Sequence, residues 1–364
     1  TKSKYAQQQI IREFKMKLSK FAFTAVAFGA TALVALPNTS KAEWPERPIT
    51  VVVMYGAGGG TDTVIRTIVK EMAKSTGWKI NVINKPGAVG GVATRYVNGK
   101  KADGYTLLGA ANYNKYASVM GHTKTRAWRD WQYMQAANSL GSWSVHPDSK
   151  FKTFQDIIAA AKANPGKVSI STSGTGGLWH ELAAVVAVSA GVTLKYVPYK
   201  GGKNATLAGL NGETMIAGGG VHEHIEHIRA GKLNHIQQTG SEDITLKNGK
   251  VLRSVGTFLP QIKSQLPFSG IYNLAMLRSV PKAIQGKVQK AFVAGVNSDS
   301  FAKIAKKKFF KIDIRLGAEA DRRAAQVEAS TAATFAELKI KGAKSPSELG
   351  LPTPANFGAW WAKN

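Results

Sequence analysis

The chain has 364 residues, of which 44% are hydrophobic, a formal charge of +27 and no cysteine. Its length allows two α/β lobes with cores of their own. The missing thiols exclude a disulfide framework, thiolate metal sites, a cysteine nucleophile and a lipidated N-terminal cysteine. A positive field of this size favours anionic partners. The basic residues are scattered, however, apart from Lys306-Lys307-Lys308, and no aromatic-interleaved signature accompanies them, so nucleic acid is not an expected partner.

Met16-Lys17-Leu18-Ser19-Lys20 is a short basic start, and Phe21 to Leu36 is an apolar stretch of 16 residues. Ser40-Lys41-Ala42 then offers small residues at −3 and −1 of a cut. Together they predict a secretory signal peptide cut after Ala42, and residues 1–42 are left out of fold reasoning. They carry +6 of the charge, leaving +21 on the mature chain. An exported chain without a tether fits a periplasm.

Ile49 to Val53 is an apolar run that reads as a strand buried in a parallel sheet. It leads through Met54 into Tyr55-Gly56-Ala57-Gly58-Gly59-Gly60-Thr61-Asp62, and Ile65, Ile68, Val69 and Met72 follow at helical spacing. A glycine turn at a helix N-terminus presents unpaired N–H groups to an anion. The spacing is not G-x-G-x-x-G, because Thr61 stands at the third glycine, and no Gly-Lys-Ser/Thr follows, so dinucleotide and P-loop readings fail. A tight turn without a ligand stays open at this point. Thr61 could donate its hydroxyl to an anion or cap the helix; Asp62 reads first as a cap.

Residues 79–84 read as a second strand and Tyr105 to Gly109 as a third. A second block begins near Val145. Thr153 and Asp156 are spaced as a capping box, and Asn164-Pro165-Gly166 stops that helix. Residues 168–171 form a strand that ends in another glycine turn, Ser173-Gly174-Thr175-Gly176-Gly177, before a helix carrying Leu178, Leu182 and Val185. This gives one anion-facing turn in each lobe. Thr214 to Ala217 runs into Gly218-Gly219-Gly220. Phe268 to Leu277 is a returning strand, and helical patterns cover 281–297 and 319–341. Strand and helix signals alternate, which predicts parallel α/β architecture.

Two clusters invite chemistry. Ser173 and His180 are seven residues apart, and Ser171 stands where a nucleophile elbow needs glycine, so a hydrolase is a minor alternative. His222-Glu223-His224-Ile225-Glu226-His227 lacks H-E-x-x-H and splits over two helix faces, so no metal site is expected. Because it follows the three glycines, Gly220 and His222 could border a ligand. No cofactor is expected.

The motifs Trp44-Pro45-Glu46-Arg47-Pro48, Gly58-Gly59-Gly60-Thr61-Asp62, Asn84-Lys85-Pro86-Gly87-Ala88 and Ala102-Asp103-Gly104-Tyr105-Thr106 occur in order. His146-Pro147-Asp148-Ser149, Asn164-Pro165-Gly166-Lys167 and Val197-Pro198-Tyr199-Lys200-Gly201-Gly202 continue the series. The set resembles the Bug family of extracytoplasmic solute receptors, the binding proteins of tripartite tricarboxylate transporters. The resemblance implies an α/β, two-lobed periplasmic-binding-protein-like fold with mostly parallel sheets, two crossovers and a ligand cleft between lobes. It places a first lobe at 43–144 plus 268–364 and a second at 145–267. It implies no enzymatic step, a small carboxylate as ligand (di- or tricarboxylate or aromatic acid), integral membrane transporter subunits as partners, and a monomer. A receptor feeding a sensor kinase is the alternative.

By position, Tyr55 to Asp62 would hold one carboxylate and Ser173 to Gly177 would grip from the other lobe, with Asn112 and Tyr113 at the same rim. Tyr199, Lys200, Gly201 and Gly202 would close the cleft. Tyr55, Tyr113, Trp179 and Tyr199 raise the prospect of an aromatic acid. Met54-Tyr55 and the stretch Gly218 to His222 depart from the family pattern.

Overall fold

The computed structural model describes residues 43–363. The predicted signal segment, 1–42, lies outside the described residues. From Arg47 onward the chain packs as one unit.

Strand β1 (Ile49–Val53) lies between two parallel partners, β2 (Ile80–Asn84) and β3 (Thr106–Ala111), with Val51 beside Val82 and Leu107. Four of its five residues are buried, as the uninterrupted apolar run requires. Helix α1 (Gly60–Thr76) follows β1 and buries Val64, Ile65, Ile68, Val69 and Met72 along one face. It stops at Gly77, whose φ of 73° is left-handed. Helices α2 (Gly91–Asn98), α3 (Lys115–Val119) and α4 (Ala127–Asp130) carry the chain to β4 (Trp131–Val145).

The 15 residues of β4 are the axis of the molecule. Their first ten pair antiparallel with β11 (Ser269–Leu277), which itself pairs antiparallel with β3. On its other edge β4 pairs with β12 (Lys311–Arg315). From Gly141 onward it takes new partners, β7 (Ala217–Gly220) and β8 (Asn234–Gln238), again antiparallel. The expectation of mostly parallel sheets therefore holds for β1–β2–β3 and for the separate pair β5 (Ser169–Thr172) and β6 (Lys195–Pro198), but not for the centre. The chain leaves along β4 and comes back along β11, and two adjacent strands carrying it in opposite directions must be antiparallel.

Around the far half of β4 pack α5 (Phe154–Ala163), α6 (Leu178–Ser189), α7 (Gly202–Leu210) and α8 (Val221–Arg229). The Thr153–Asp156 capping box forms as its spacing predicts. Trp143, Phe154, Ile157, Ile170, Val186 and Ile236 build one core. A short hairpin, β9 (Ile244–Thr245) with β10 (Val251–Leu252), precedes β11. Helices α9 (Lys282–Val296), α10 (Asp299–Lys308), α11 (Gly317–Glu337) and α12 (Phe357–Trp361) complete the order. A second core joins Leu178, Trp179 and Leu182 of α6 to Tyr116, Ala325 and Phe335.

Gly218-Gly219-Gly220 belongs to strand β7. A Cβ at Gly218 would lie 2.2 Å from the Ser171 carbonyl oxygen, and one at Gly219 would lie 2.6 Å from His224 Nε2. Close packing on both faces, rather than chain reversal, is what requires glycine here.

Candidate functional site

Four helices start at one cleft. The N-cap residues of α1, α6, α7 and α8 are Gly59, Gly177, Gly201 and Gly220, and none has a side chain with which to cap. The first amides of each helix have no intrahelical acceptor, and the positive ends of four helix dipoles converge.

Asp62 sets the shape of the first turn. Its carboxylate accepts from the Gly58 N–H at 2.9 Å, Arg66 Nε at 2.8 Å and Asn84 Nδ2 at 2.8 Å, while Asn84 also donates to the Tyr55 carbonyl at 2.9 Å. Asp62 thus faces the loop rather than the cleft, and the Gly60 and Thr61 amides keep no side-chain partner among the described residues. At α6, the Trp179 N–H donates weakly to Ser173 Oγ at 3.4 Å.

Of the residues expected at the ligand, Tyr55, Gly56, Ala57, Gly59, Gly60, Thr61, Asn112, Ser173 and His222 line this cleft. The others are placed elsewhere. Gly58 borders an adjoining recess with Lys203. Gly174, Thr175 and Tyr199 line a wider opening beside Pro86 to Val89, and the Tyr199 hydroxyl donates to Glu213 at 3.0 Å. Tyr113 turns into the core, where its hydroxyl donates to Gln135 Oε1 at 2.8 Å. Gly176 donates to His180 Nδ1 at 2.9 Å, and Gly177 caps α6. Gly220 pairs with Gly141 of β4. These residues hold the turns rather than the cavity wall. Asn112 does both, since its Oδ1 accepts from the Ile271 N–H at 2.9 Å.

Sequence reasoning missed Glu223, Tyr272, Ile271, Leu178, Lys203 and Asn204, all in the wall. The Tyr272 hydroxyl donates to Ser139 Oγ at 3.0 Å and lies 3.1 Å from His222 Nε2. With the tyrosine proton assigned to Ser139, His222 Nε2 is the donor to Tyr272, and Nδ1, which has no partner, is the free acceptor. Both side chains press on α1: a Cβ at Gly60 would lie 2.3 Å from His222 Nε2 and 2.4 Å from the Tyr272 hydroxyl oxygen. Glu223 accepts from the Gly220 N–H at 2.9 Å. Burial works to raise its pKa, but the adjacent His222 and this N–H outweigh it and hold the carboxyl below its ordinary value.

The histidine cluster divides as its spacing implies. His222 faces the cleft, while His224 is fully buried with Nδ1 3.0 Å from Ser144 Oγ. Burial pushes the His224 imidazole down to about 3, against the pull of the Glu223 charge. The unfolded chain takes up this proton near the ordinary value and the folded chain does not, so stability is lost as pH falls from about 6.5 towards about 3. By about pH 5 the loss is roughly 2 kcal/mol from this group. Urea unfolding at pH 7.5 and 5 measures it: His224→Gln makes the slope shallower, His235, which burial pushes down to about 4, keeping its own share, and an unchanged slope would refute the assignment.

Ser173 and His180 do not pair as nucleophile and base: Ser173 Oγ accepts from the Trp179 N–H, and His180 Nδ1 is taken by Gly176. Among the described residues no group of three or more His, Asp or Glu side chains could hold a metal ion.

Comparison with known proteins bears on the family and the fold. The family model described as "Tripartite tricarboxylate transporter family receptor" matches residues 64–312. A Cupriavidus necator protein, "UPF0065 protein in gbd 5'region", is 34% identical over 196 residues, 52% of this chain and 59% of that protein. Protein BugT of Bordetella pertussis is 27% identical over 234 residues, 63% of this chain and 72% of BugT. The chain thus spans little more than half the length of the first relative.

Periplasmic binding protein BugD superposes with a TM-score of 0.74 at 21% identity, covering 82% of this chain and 99% of BugD. An R. palustris protein solved with adipate gives 0.70 at 19% identity, over 85% and 100%. MatC from Rhodopseudomonas palustris with bound malate gives 0.69 at 21% identity, over 81% and 99%. These structures establish the periplasmic-binding-protein-like α/β fold that the motifs implied. The matched family is one of binding proteins rather than enzymes, and the chain belongs to it: it is a member of the tripartite tricarboxylate transporter receptor family.

Proposed function

We propose that this protein captures a small carboxylate in the cleft and delivers it to the membrane subunits of a tripartite tricarboxylate-type transporter. It would act as a monomer in the periplasm after cleavage of a signal peptide behind Ala42. The lobes that close on the ligand are 43–144 with 268–364, and 145–267. The observation that carries the reading is the convergence of four glycine-capped helix N-termini on one cavity. Each supplies a positive dipole end, and the Gly60 and Thr61 amides of α1 keep no side-chain partner among the described residues, which favours an anion without a dedicated arginine. Lys200 and Lys203 add charge to the same wall. The adipate and malate seen in related folds support the choice of carboxylate.

Thermal shift against dicarboxylates, tricarboxylates, aromatic acids and acidic amino acids is the test. An acid at about 100 times its Kd stabilises by about 2.7 kcal/mol, which raises the melting temperature by several degrees. No shift from any acid would overturn the proposal.

A further inference from the structure

Lys306-Lys307-Lys308, the basic run that stands out in the sequence, has no part in the cleft. Lys306 and Lys307 line a separate recess, bounded by the C-terminal ends of α8 and α10 and by the β9–β10 hairpin. Lys303, Lys306 and Lys307 share one face of α10, at i, i+3 and i+4, and Arg229 of α8 and Lys247 of the hairpin turn join them. No acidic side chain lines the recess among the described residues. Glu226, beside it, pairs with Arg229 at 3.2 Å and Lys307 at 3.8 Å, while Lys247, Lys303 and Lys306 have no ion pair among the described residues. Lysines at a helix C-terminus complement the dipole, but that does not account for cations brought to the same place from two other elements. Like charges three and four residues apart on a helix repel, so the cluster costs stability until an anion joins it.

The recess also has apolar walls. Leu246 is buried in the hairpin turn, and Phe309, half-buried, packs on the same cluster. Phe309 caps α10 with a left-handed φ of 60°, where glycine is usual and a bulky residue is rare. The Arg229 guanidinium lies 5.7 Å from its ring centroid and donates to the Lys307 carbonyl at 3.2 Å. A ring kept there at a backbone cost gives an apolar contact to whatever the lysines attract. A bilayer presents a flat surface, which suits a flat or convex basic face rather than a recess. We infer that this recess docks a protein partner through a segment rich in Asp and Glu that carries an apolar side chain among them. The acids pair with Lys247, Lys303 and Lys306, and the apolar side chain meets Phe309. The recess shares no lining residue with the cleft, so a partner seated there leaves the ligand site open.

Fluorescence anisotropy on the full chain at about 0.1 M salt, with the labelled peptide E-E-E-L-E-E-E, tests this. The peptide binds, and its counterpart Q-Q-Q-L-Q-Q-Q does not. Lys303→Glu with Lys306→Glu weakens the peptide tenfold or more. Lys162→Glu with Lys167→Glu, at two exposed positions outside the recess, changes the net charge equally and leaves affinity within twofold, which separates the recess from the general positive field. Phe309→Gly suits the left-handed backbone and weakens the peptide severalfold by removing the ring. No binding, or an equal loss in both double variants, overturns the inference, and unchanged affinity in Phe309→Gly overturns its apolar part. Vesicles of phosphatidylglycerol that bind the chain and lose it in Lys303→Glu with Lys306→Glu, while the peptide does not bind, make the recess a membrane contact and overturn the protein partner.

Discussion

Glu181→Ala lowers the free energy of unfolding by about 3–5 kcal/mol, a large share of the roughly 5–15 kcal/mol that holds a domain together. Glu181 lies in the first turn of α6, with its side chain 9% exposed. Its carboxylate accepts from Lys115 Nζ at 3.1 Å, the Tyr116 hydroxyl at 2.5 Å and Thr331 Oγ1 at 2.6 Å. One acid thus ties α3, α6 and α11 together. Burial pushes the Lys115 ammonium below its ordinary pKa, and the Glu181 charge opposes that shift. Remove the acid, and a buried cation and two hydroxyls lose their partner. Glu181→Gln keeps the shape and the hydroxyl acceptor and costs less. Glu181→Leu with Lys115→Met recovers much of the loss, because removing both charges leaves neither stranded. Urea denaturation of the four proteins measures this; a loss under about 1 kcal/mol in Glu181→Ala would show that Glu181 and its three partners contribute little.

Gly60→Ala weakens ligand binding by about 100-fold. The first residue of α1 has no room for a methyl group, because His222 and Tyr272 occupy its Cβ position. Neither ring can yield freely. Tyr272 is held by Ser139 and packed on Phe310 with ring centroids 5.2 Å apart, and His222 lies 4.9 Å from the same phenylalanine. The start of α1 has to shift instead, and with it the amides that face the ligand. Overpacking of this kind costs about 1–3 kcal/mol, which is a factor of roughly 5 to 150 if it falls on the bound state. Gly286→Ala is the control: it lies in α9 with nothing within 4 Å of a new Cβ, and it leaves binding unchanged. Calorimetry with an acid found by thermal shift reads both, and equal affinity in Gly60→Ala and wild type would contradict the geometry.

The parts of the fold legible in sequence are those where local pattern and tertiary role agree. The β1–turn–α1 unit announces itself because an apolar strand, a glycine turn and a helical stripe each have their own signature. Strand β4 was invisible for the opposite reason. It carries Gln132, Gln135, Asn138, Ser139, Ser142 and Ser144, which break any apolar rhythm. They are tolerated inside because partners distant in sequence satisfy them: Gln135 and Asn138 donate to Asp313, Ser139 accepts from Tyr272, and Ser144 meets His224. Gly218 to Gly220 carry no strand signal of their own, because glycine is a poor strand former, and only the packed neighbours explain their place in β7. At the site, the glycine turns were readable, whereas Tyr272 and Glu223 were not. Tyr272 reaches the cleft through pairing of β11 with β3 and β4, and Glu223 looks like any acid in a first helical turn. Asp62, read first as a cap and also placed among the ligand residues, takes the Gly58 N–H and braces the loop, with Arg66 and Asn84 as partners that sequence did not show.

Amide hydrogen exchange, with and without an acid that raises the melting temperature, distinguishes a two-sided clamp from a one-sided contact. The amides of Gly56 to Thr61 and those of Gly201 to Asn204 gain protection together, over the same range of acid concentration, because both turns face one cavity. Protection of one turn without the other, or of neither, would contradict a carboxylate held between them.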